Sequence, residues 1–285
     1  MNDFDTQSEA FLAEIEAELE EGDLSFPTVL DLSLRIKQAA EDPNTTVEQI
    51  AALIRIEPLL AARVLHIANS VIFNPMAKPA SSVIEAIPRI GLSNVRVMAL
   101  FVAIEQIAQE YRSPQMQSLA WKVWQHSVDV AAWASALAHH LGIGRPDTPL
   151  LAGLMIDIGQ LFLIARVVRY PALATDIPRF SQLVAMWHAP LACAILESMD
   201  LPTDLVDALD YENPYGGSWP PKTLSEVLFV AGLATEFDNP FDPLNGENRR
   251  RLLDLAKLQL EAPKFEQLLA EALAGRNELL AVLKG

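Results

Sequence analysis

The chain has 285 residues, 51% of them hydrophobic, and a formal net charge of −16. This length and composition predict a globular protein of one large domain or two ordinary ones, and they argue against a disordered chain. The acidic balance argues against a nucleic-acid-binding protein, because such proteins need cations to displace phosphate counterions. The single cysteine, Cys193, excludes an intrachain disulfide framework and a cysteine-rich zinc site.

The first predicted element is an acidic segment, residues 1–23, which holds nine Asp or Glu residues and no Lys or Arg. Helical spacing places Phe11, Ile15 and Leu19 on one narrow apolar face of it. Nine carboxylates repel one another unless they are solvated or paired with a basic surface. We therefore predict a helix that docks on a partner or on the chain itself and that is not a core element.

Residues 24–112 have the pattern of a helical bundle. The capping boxes Thr45-x-x-Glu48 and Ser82-x-x-Glu85 predict two helix starts, and Gly91 is expected to interrupt the chain. Further helices are predicted at about 27–40, 58–69 and 95–109. The polar stretch 111–118 contains Pro114, so we place a domain boundary there.

Residues 113–285 are also predicted to be helical, and no stretch of the chain alternates convincingly as a strand would. The predicted helices lie at about 119–141, 148–168, 178–198, 202–211, 222–236, 246–260 and 264–282. Residues 210–221 are rich in Gly, Pro and aromatic residues and are predicted to form a long loop. The sequence thus predicts an all-α protein with an acidic segment, 1–23, a first bundle, 24–112, and a second helical domain, 113–285.

The cellular location is predicted from two features. No basic segment followed by an apolar run occurs at the N-terminus, so no secretory signal is expected. The most membrane-like run, 150–168, contains Asp157, Gln160 and Arg166, which is typical of a buried core helix. We expect a cytoplasmic protein without membrane contact.

Three of the five histidines have patterns that favour structural roles. His139 and His140 end a predicted helix, where an imidazolium interacts favourably with the helix dipole. His66 lies between core positions of its helix and is expected at the polar rim of the first bundle.

His126 and Asp157 are the polar residues that could carry chemistry. His126 lies three residues after Val123 and four before Val130, on an apolar helix face, and Asp157 interrupts the apolar run LLAGLMIDIGQLFL. A buried, unpaired carboxylate costs several kcal/mol, so Asp157 needs a partner, a ligand or a proton. The spacing allows either a buried hydrogen bond between two helices or a metal-binding pair.

A series of motifs in fixed order, covering about residues 24–235, resembles the HDOD domain family. The N-terminal motifs are Leu24/Phe26-Pro27, Asp42-Pro43, Glu57-Pro58, Ala68-Asn69-Ser70 and Ser82-Val83 through Ala86-Ile87 to Ile90-Gly91. The C-terminal ones are WQHS (124–127), LLAGLMIDIGQL (150–161) and WHAPLACAILESMDLP (187–202). The resemblance implies an N-terminal helical bundle packed on a degenerate HD-like helical bundle.

HDOD domains are similar to the HD superfamily of metal-dependent phosphohydrolases, whose core helices supply His, a His-Asp dyad and a further Asp. Such enzymes use divalent metals to activate water and neutralise phosphate oxygens. His126 matches the first ligand, the dyad falls on Ile156 and Asp157, and the last Asp falls on Gly232. The double His that the related HD-GYP hydrolases carry after a Leu-Pro falls near Tyr211-Glu212, and His188 is a weak match to another HD-GYP histidine. Because isoleucine and glycine side chains cannot coordinate, the resemblance implies no metal, no cofactor and no catalytic residues.

The resemblance implies a non-catalytic bacterial regulatory module that acts by binding a protein partner in a signalling pathway. One alternative is a phosphohydrolase with a reduced metal site built from His126, Asp157 and His188, with Asp210 or Glu212, since three protein ligands can hold a catalytic zinc. A second alternative is a nucleotide sensor in which Tyr211, Tyr215 or Trp219 stacks on a base.

Overall fold

Helices form all the regular secondary structure that the computed structural model describes. The described residues are 3–21, 28–70, 73–74, 78–109, 113–144, 148–198, 203–209, 220–241, 250, 253–254 and 262–284. Their helices are α1 (Asp3–Glu21), α2 (Thr28–Glu41), α3 (Val47–Ile54), α4 (Pro58–Asn69), α5 (Val83–Gln109), α6 (Pro114–Leu141), α7 (Thr148–Met155), α8 (Ile158–Val167), α9 (Pro171–Thr175), α10 (Ile177–Ser198), α11 (Thr203–Ala208), α12 (Leu224–Ala234) and α13 (Ala262–Lys284). The predicted all-α fold class is confirmed.

The helix boundaries follow local chemistry, with three differences from the sequence prediction. The capping box of α3 pairs Thr46 with Gln49, one residue later than predicted. At the start of α5, Ser82 Oγ accepts from the Glu85 N–H, but the Glu85 carboxylate accepts from the Ser81 N–H. The predicted helix 148–168 is divided into α7 and α8 at residues 156–157.

Of two further predictions, one is confirmed and the other concerns residues that are mostly not described. The predicted interruption of α5 at Gly91 is confirmed, because this residue has φ +79°, a conformation that favours glycine. The predicted helix 246–260 falls mostly outside the described residues.

The chain divides into two compact units. One comprises Met1–Ser25 and Ile107–Ala274, and the other comprises Phe26–Gln106 and Gly275–Gly285. The domain limits predicted from the sequence, 1–23, 24–112 and 113–285, stay a prediction. Within the second unit, Arg63 pairs at 3.4 Å with the buried carboxylate of Glu105. Burial raises the pKa of Glu105, and Arg63 offsets this rise only in part.

Helix α1 is built into the core of its unit. Phe11 and Ile15 are each only 1% exposed, and the Phe11 ring packs edge-on against Tyr170, with 5.3 Å between ring centroids. The prediction that segment 1–23 is not a core element is therefore wrong. Its apolar face is narrow, as the spacing indicated, but two large side chains on it are fully removed from water.

Two glycines allow the central helices of this unit to pack closely. A Cβ at Gly153, on α7, would lie 2.3 Å from Ala131 Cα on α6. A Cβ at Gly159, on α8, would lie 2.0 Å from the carbonyl oxygen of His188 on α10. Since backbone atoms are met at both positions, a side chain there would force whole helices apart.

A pair of glycine substitutions should change stability in opposite directions. We expect Gly159→Ala to lower the free energy of unfolding by about 3 kcal/mol, because α8 and α10 must separate. Gly232→Ala should raise it by about 0.5–1 kcal/mol, because alanine favours the helix and a Cβ at Gly232 meets nothing within 4 Å. Chemical denaturation of both variants checks this, and a Gly159→Ala protein as stable as wild type would contradict the close packing.

Two described helical stretches are long and apolar enough to cross a membrane, Val83–Gln106 and Thr148–Val167. Their most apolar windows are 61% and 83% buried within the structure. Core helices of globular proteins have the same properties. The cytoplasmic location stays a prediction.

Candidate functional site

The carboxylate of Asp157 accepts hydrogen bonds from three buried side chains. Its Oδ2 accepts from His126 Nδ1 at 2.7 Å and from Ser127 Oγ at 2.7 Å, and its Oδ1 accepts from Asn239 Nδ2 at 2.8 Å. All four residues are buried. Burial of this carboxylate is therefore compensated by protein donors.

Three separate parts of the fold bring these side chains together. His126 and Ser127 are consecutive residues of α6, and Asp157 lies at the junction of α7 and α8. Asn239 follows α12, and its Oδ1 accepts the Phe241 N–H at 2.9 Å, which orients Nδ2 towards Asp157. The tight packing at Gly153 holds α7 against α6, so the predicted contact between His126 and Asp157 forms across that interface.

A second buried carboxylate, Asp129, anchors the same segment of chain. It lies one helical turn after His126 and accepts from Thr235 Oγ1 at 2.7 Å and from the Glu236 N–H at 3.1 Å. Asp129 and Asp157 together fix both ends of the stretch 235–239. We call the buried set His126, Ser127, Asp129, Asp157, Thr235 and Asn239 the carboxylate network.

Asp157 occupies the N-cap position of α8, but its side chain makes no capping hydrogen bond. Its carbonyl oxygen instead accepts the N–H groups of Gln160 and Leu161. The carboxylate is thus directed into the interior, towards α6, and its role is to join helices. Sequence spacing identified the His126–Asp157 pair but not its other partners.

The other positions discussed from the sequence lie outside the network. His188 is partly buried on α10, with its backbone against Gly159, and it belongs to no group of three potential ligands in the described part of the chain. Gly232 lies in α12, beside open space. His66 and His139 are exposed, and His140 pairs with Glu271 at 2.8 Å. Asp210, Tyr211, Glu212, Tyr215 and Trp219 lie outside the described residues.

A metal ion of the HD type does not fit the described residues. Such centres need at least three protein ligands, and no group of three or more His, Cys, Asp or Glu side chains that could hold one occurs in the described ranges. Both oxygens of Asp157 already accept from His126, Ser127 and Asn239. A metal would have to displace these donors.

The family model of the HDOD domain matches residues 26–215, about two thirds of the chain. The chain belongs to the HDOD family. His126 and Asp157 lie within the HDOD match, whereas α1 precedes it and Thr235 and Asn239 follow it.

Solved structures similar to this HDOD chain share its fold. A candidate metal-dependent phosphohydrolase of Shewanella amazonensis SB2B is 24% identical, with 98% of this chain and 99% of that chain covered and a TM-score of 0.72. An HDOD domain protein of Geobacter sulfurreducens is also 24% identical, with 93% and 99% covered and a TM-score of 0.51. A candidate signal transduction protein of Marinobacter aquaeolei VT8 is 19% identical, with 99% and 65% covered and a TM-score of 0.59.

A curated relative from Treponema pallidum (strain Nichols) is 22% identical over 247 residues, which is 80% of this chain. The chain spans 45% of that relative's length. The activity and partners of the longer protein are therefore not transferred to this HDOD chain.

Proposed function

We propose that this HDOD protein is a non-catalytic regulatory module of bacterial signal transduction that acts by binding a protein partner. Family membership supports a regulatory role, and the similar fold of the Marinobacter aquaeolei protein, described as a candidate signal transduction protein, is in line with it. We expect the partner to be a protein and neither a nucleic acid nor a membrane.

The observation that carries the proposal is the use of Asp157 as a joint between helices. His126, Ser127 and Asn239 direct their donors at its two oxygens. In a hydrolytic centre those oxygens would face a metal ion that activates water. The neighbouring Ile156 and the distant Gly232 have no side-chain atoms that coordinate a metal.

The experiment measures metal content and turnover together. Protein purified without chelator and then exposed to Mn²⁺, Ni²⁺ or Zn²⁺ should retain well under one equivalent after desalting. Phosphomonoester, phosphodiester and nucleotide substrates should be turned over no faster than by the Asp157→Ala variant.

The surface histidine variant His140→Ala is the matched control, since His140 also pairs with a carboxylate but is exposed. Metal that is lost in His140→Ala and kept in His126→Ala is bound adventitiously. About one bound metal that is lost only in His126→Ala, together with turnover that requires Asp157, would replace the regulatory proposal with a phosphohydrolase.

A further inference from the structure

The acidic helix α1 is held by a basic and aromatic surface on α8, on α10 and on the segment between α8 and α9. Arg166, whose side chain is 9% exposed, points both terminal nitrogens at the carboxylate of Glu18, with both distances 2.5 Å. This paired geometry is the one in which arginine binds carboxylates most specifically. The guanidinium also lies over the Phe162 ring, 4.5 Å from its centroid.

Two more arginines continue the charge complementarity along α1. Arg169 contacts Glu14, and the Tyr170 hydroxyl donates to the same carboxylate at 2.6 Å. Arg179 contacts Asp5. Burial raises the pKa of the Glu14 carboxyl. The Tyr170 hydroxyl, Arg169 and Arg166 together lower this pKa by more, so the net pKa lies below the usual value. Glu14 is therefore charged at neutral pH, as this contact requires.

Apolar side chains complete the interface. Phe11 packs edge-on against Tyr170 and against Phe180, with 5.3 Å and 6.5 Å between ring centroids. We call Arg166, Arg169, Tyr170, Arg179 and Phe180 the receptor face. Buried aromatic anchors surrounded by arginines are typical of interfaces that bind a helix specifically.

The chain connects α1 to the receptor face indirectly. Met1–Ser25 clusters with Ile107–Ala274, whereas the intervening Phe26–Gln106 belongs to the other compact unit. Helix α1 also precedes the region matched by the HDOD family. In sequence terms, α1 is therefore separated from the receptor face by residues of a different compact unit.

We propose that the receptor face is a docking surface for an acidic amphipathic helix, and that α1 of a second copy of the chain occupies it in an exchanged dimer. Each copy offers the same helix and the same face, so reciprocal exchange preserves every ion pair and the Phe11 contacts in both sites. Exchange of an identical element between two copies is a low-cost route to a dimer, because it needs no new contact surface.

Two complementary charge variants of the full chain test this. The helix variant carries Glu14→Arg and Glu18→Arg, and the face variant carries Arg166→Glu and Arg169→Glu. Each variant alone places like charges opposite one another. In an equimolar mixture both exchanged sites have opposite charges, so a one-to-one heterodimer should form at least about tenfold more tightly than either variant self-associates. Native mass spectrometry of mass-labelled chains measures it.

The chain carrying all four substitutions is the matched control, because its own α1 and receptor face are again complementary. It should form the same mixture of monomer and dimer as wild type. A mixture of the two folded variants that stays monomeric at every concentration overturns the proposal.

A second measurement decides the question if the face variant does not fold. A labelled peptide of residues 1–23 should bind the folded helix variant and dissociate as salt is added. It should bind the four-substitution chain at least about tenfold more weakly, because two receptor arginines are then glutamates. Equal binding to both chains, or none to the helix variant, overturns the proposal.

Discussion

Asp157→Ala should lower the free energy of unfolding by about 3–5 kcal/mol, because it removes the acceptor of two buried side-chain donors at once. The substitution leaves His126 Nδ1 and Asn239 Nδ2 without their acceptor in a buried site. Ser127 is less affected, since its hydroxyl lies 3.1 Å from the Val123 carbonyl oxygen, an alternative acceptor. Urea unfolding at neutral pH measures the loss.

His126→Ala should cost less, about 1–3 kcal/mol, because Asp157 then keeps Ser127 and Asn239 as donors. The pair His126→Leu with Asp157→Leu should cost distinctly less than the sum of the single losses, since neither group of the pair is left without the other. Asp207→Ala, at an exposed carboxylate on α11, is the control and should change stability by no more than about 0.5 kcal/mol.

A metal-binding role for the pair predicts a different set of curves. The single losses would then be small and additive, and added metal would raise the wild-type midpoint in a concentration-dependent way. Unfolding of the wild type, the two single variants at His126 and Asp157 and their double Leu variant, with and without chelator, distinguishes the two cases. A metal-dependent midpoint would contradict the assignment of Asp157 as a joint between helices.

The His126–Asp157 contact could be predicted because each residue interrupts an apolar pattern on a long helical segment, and buried polar groups need partners. Asn239 could not be predicted, because it follows α12 and is 82 residues away from Asp157. Asp129 lies one turn after His126, a spacing that puts both residues near one face of α6. That spacing was a usable signal for the second carboxylate.

The break between α7 and α8 has a similar explanation. Apolar residues continue with helical spacing through 148–168, so periodicity alone predicts one helix. The structure interrupts it at Ile156–Asp157, where Asp157 has φ −110° and ψ 16°. The interruption directs the carboxylate towards α6 and depends on its tertiary partners there. The spacing of apolar residues indicates which face of a helix is buried. It does not indicate where the helix is interrupted so that a polar side chain reaches a buried partner.

For α1, the apolar face and the negative charge could be predicted from the sequence, but the surface on which the helix packs could not. Arg166, Arg169 and Arg179 are far from α1 in sequence and show no pattern that marks them as a binding site. Nine carboxylates are equally compatible with a solvated helix and with a helix docked on a basic surface. The sequence does not show whether such a surface exists. Only the folded chain brings the arginines and Phe180 to one side of α1.

The buried anchors of α1 lead to the second large expected effect. Phe11→Ala should lower the free energy of unfolding by about 3–5 kcal/mol, because a fully buried aromatic ring is lost and leaves a cavity. For a chain of this size the thermal midpoint should fall by roughly 10 °C. Deletion of residues 1–23 should lower the thermal midpoint at least as far. A helix outside the core could be deleted with almost no change in the midpoint.

The control for α1 removes negative charge without removing anchors. Glu9 and Glu16 are exposed, so Glu9→Gln with Glu16→Gln should leave the midpoint nearly unchanged, because isolated surface charges contribute little. Differential scanning calorimetry at a fixed protein concentration compares the wild type, Phe11→Ala, the deletion of residues 1–23 and the glutamate pair. If Phe11→Ala matched the wild type while the glutamate pair lowered the midpoint, α1 would be held by its net charge and not by its buried face. If neither variant changed it, α1 would contribute nothing to the stability of the unit it packs against.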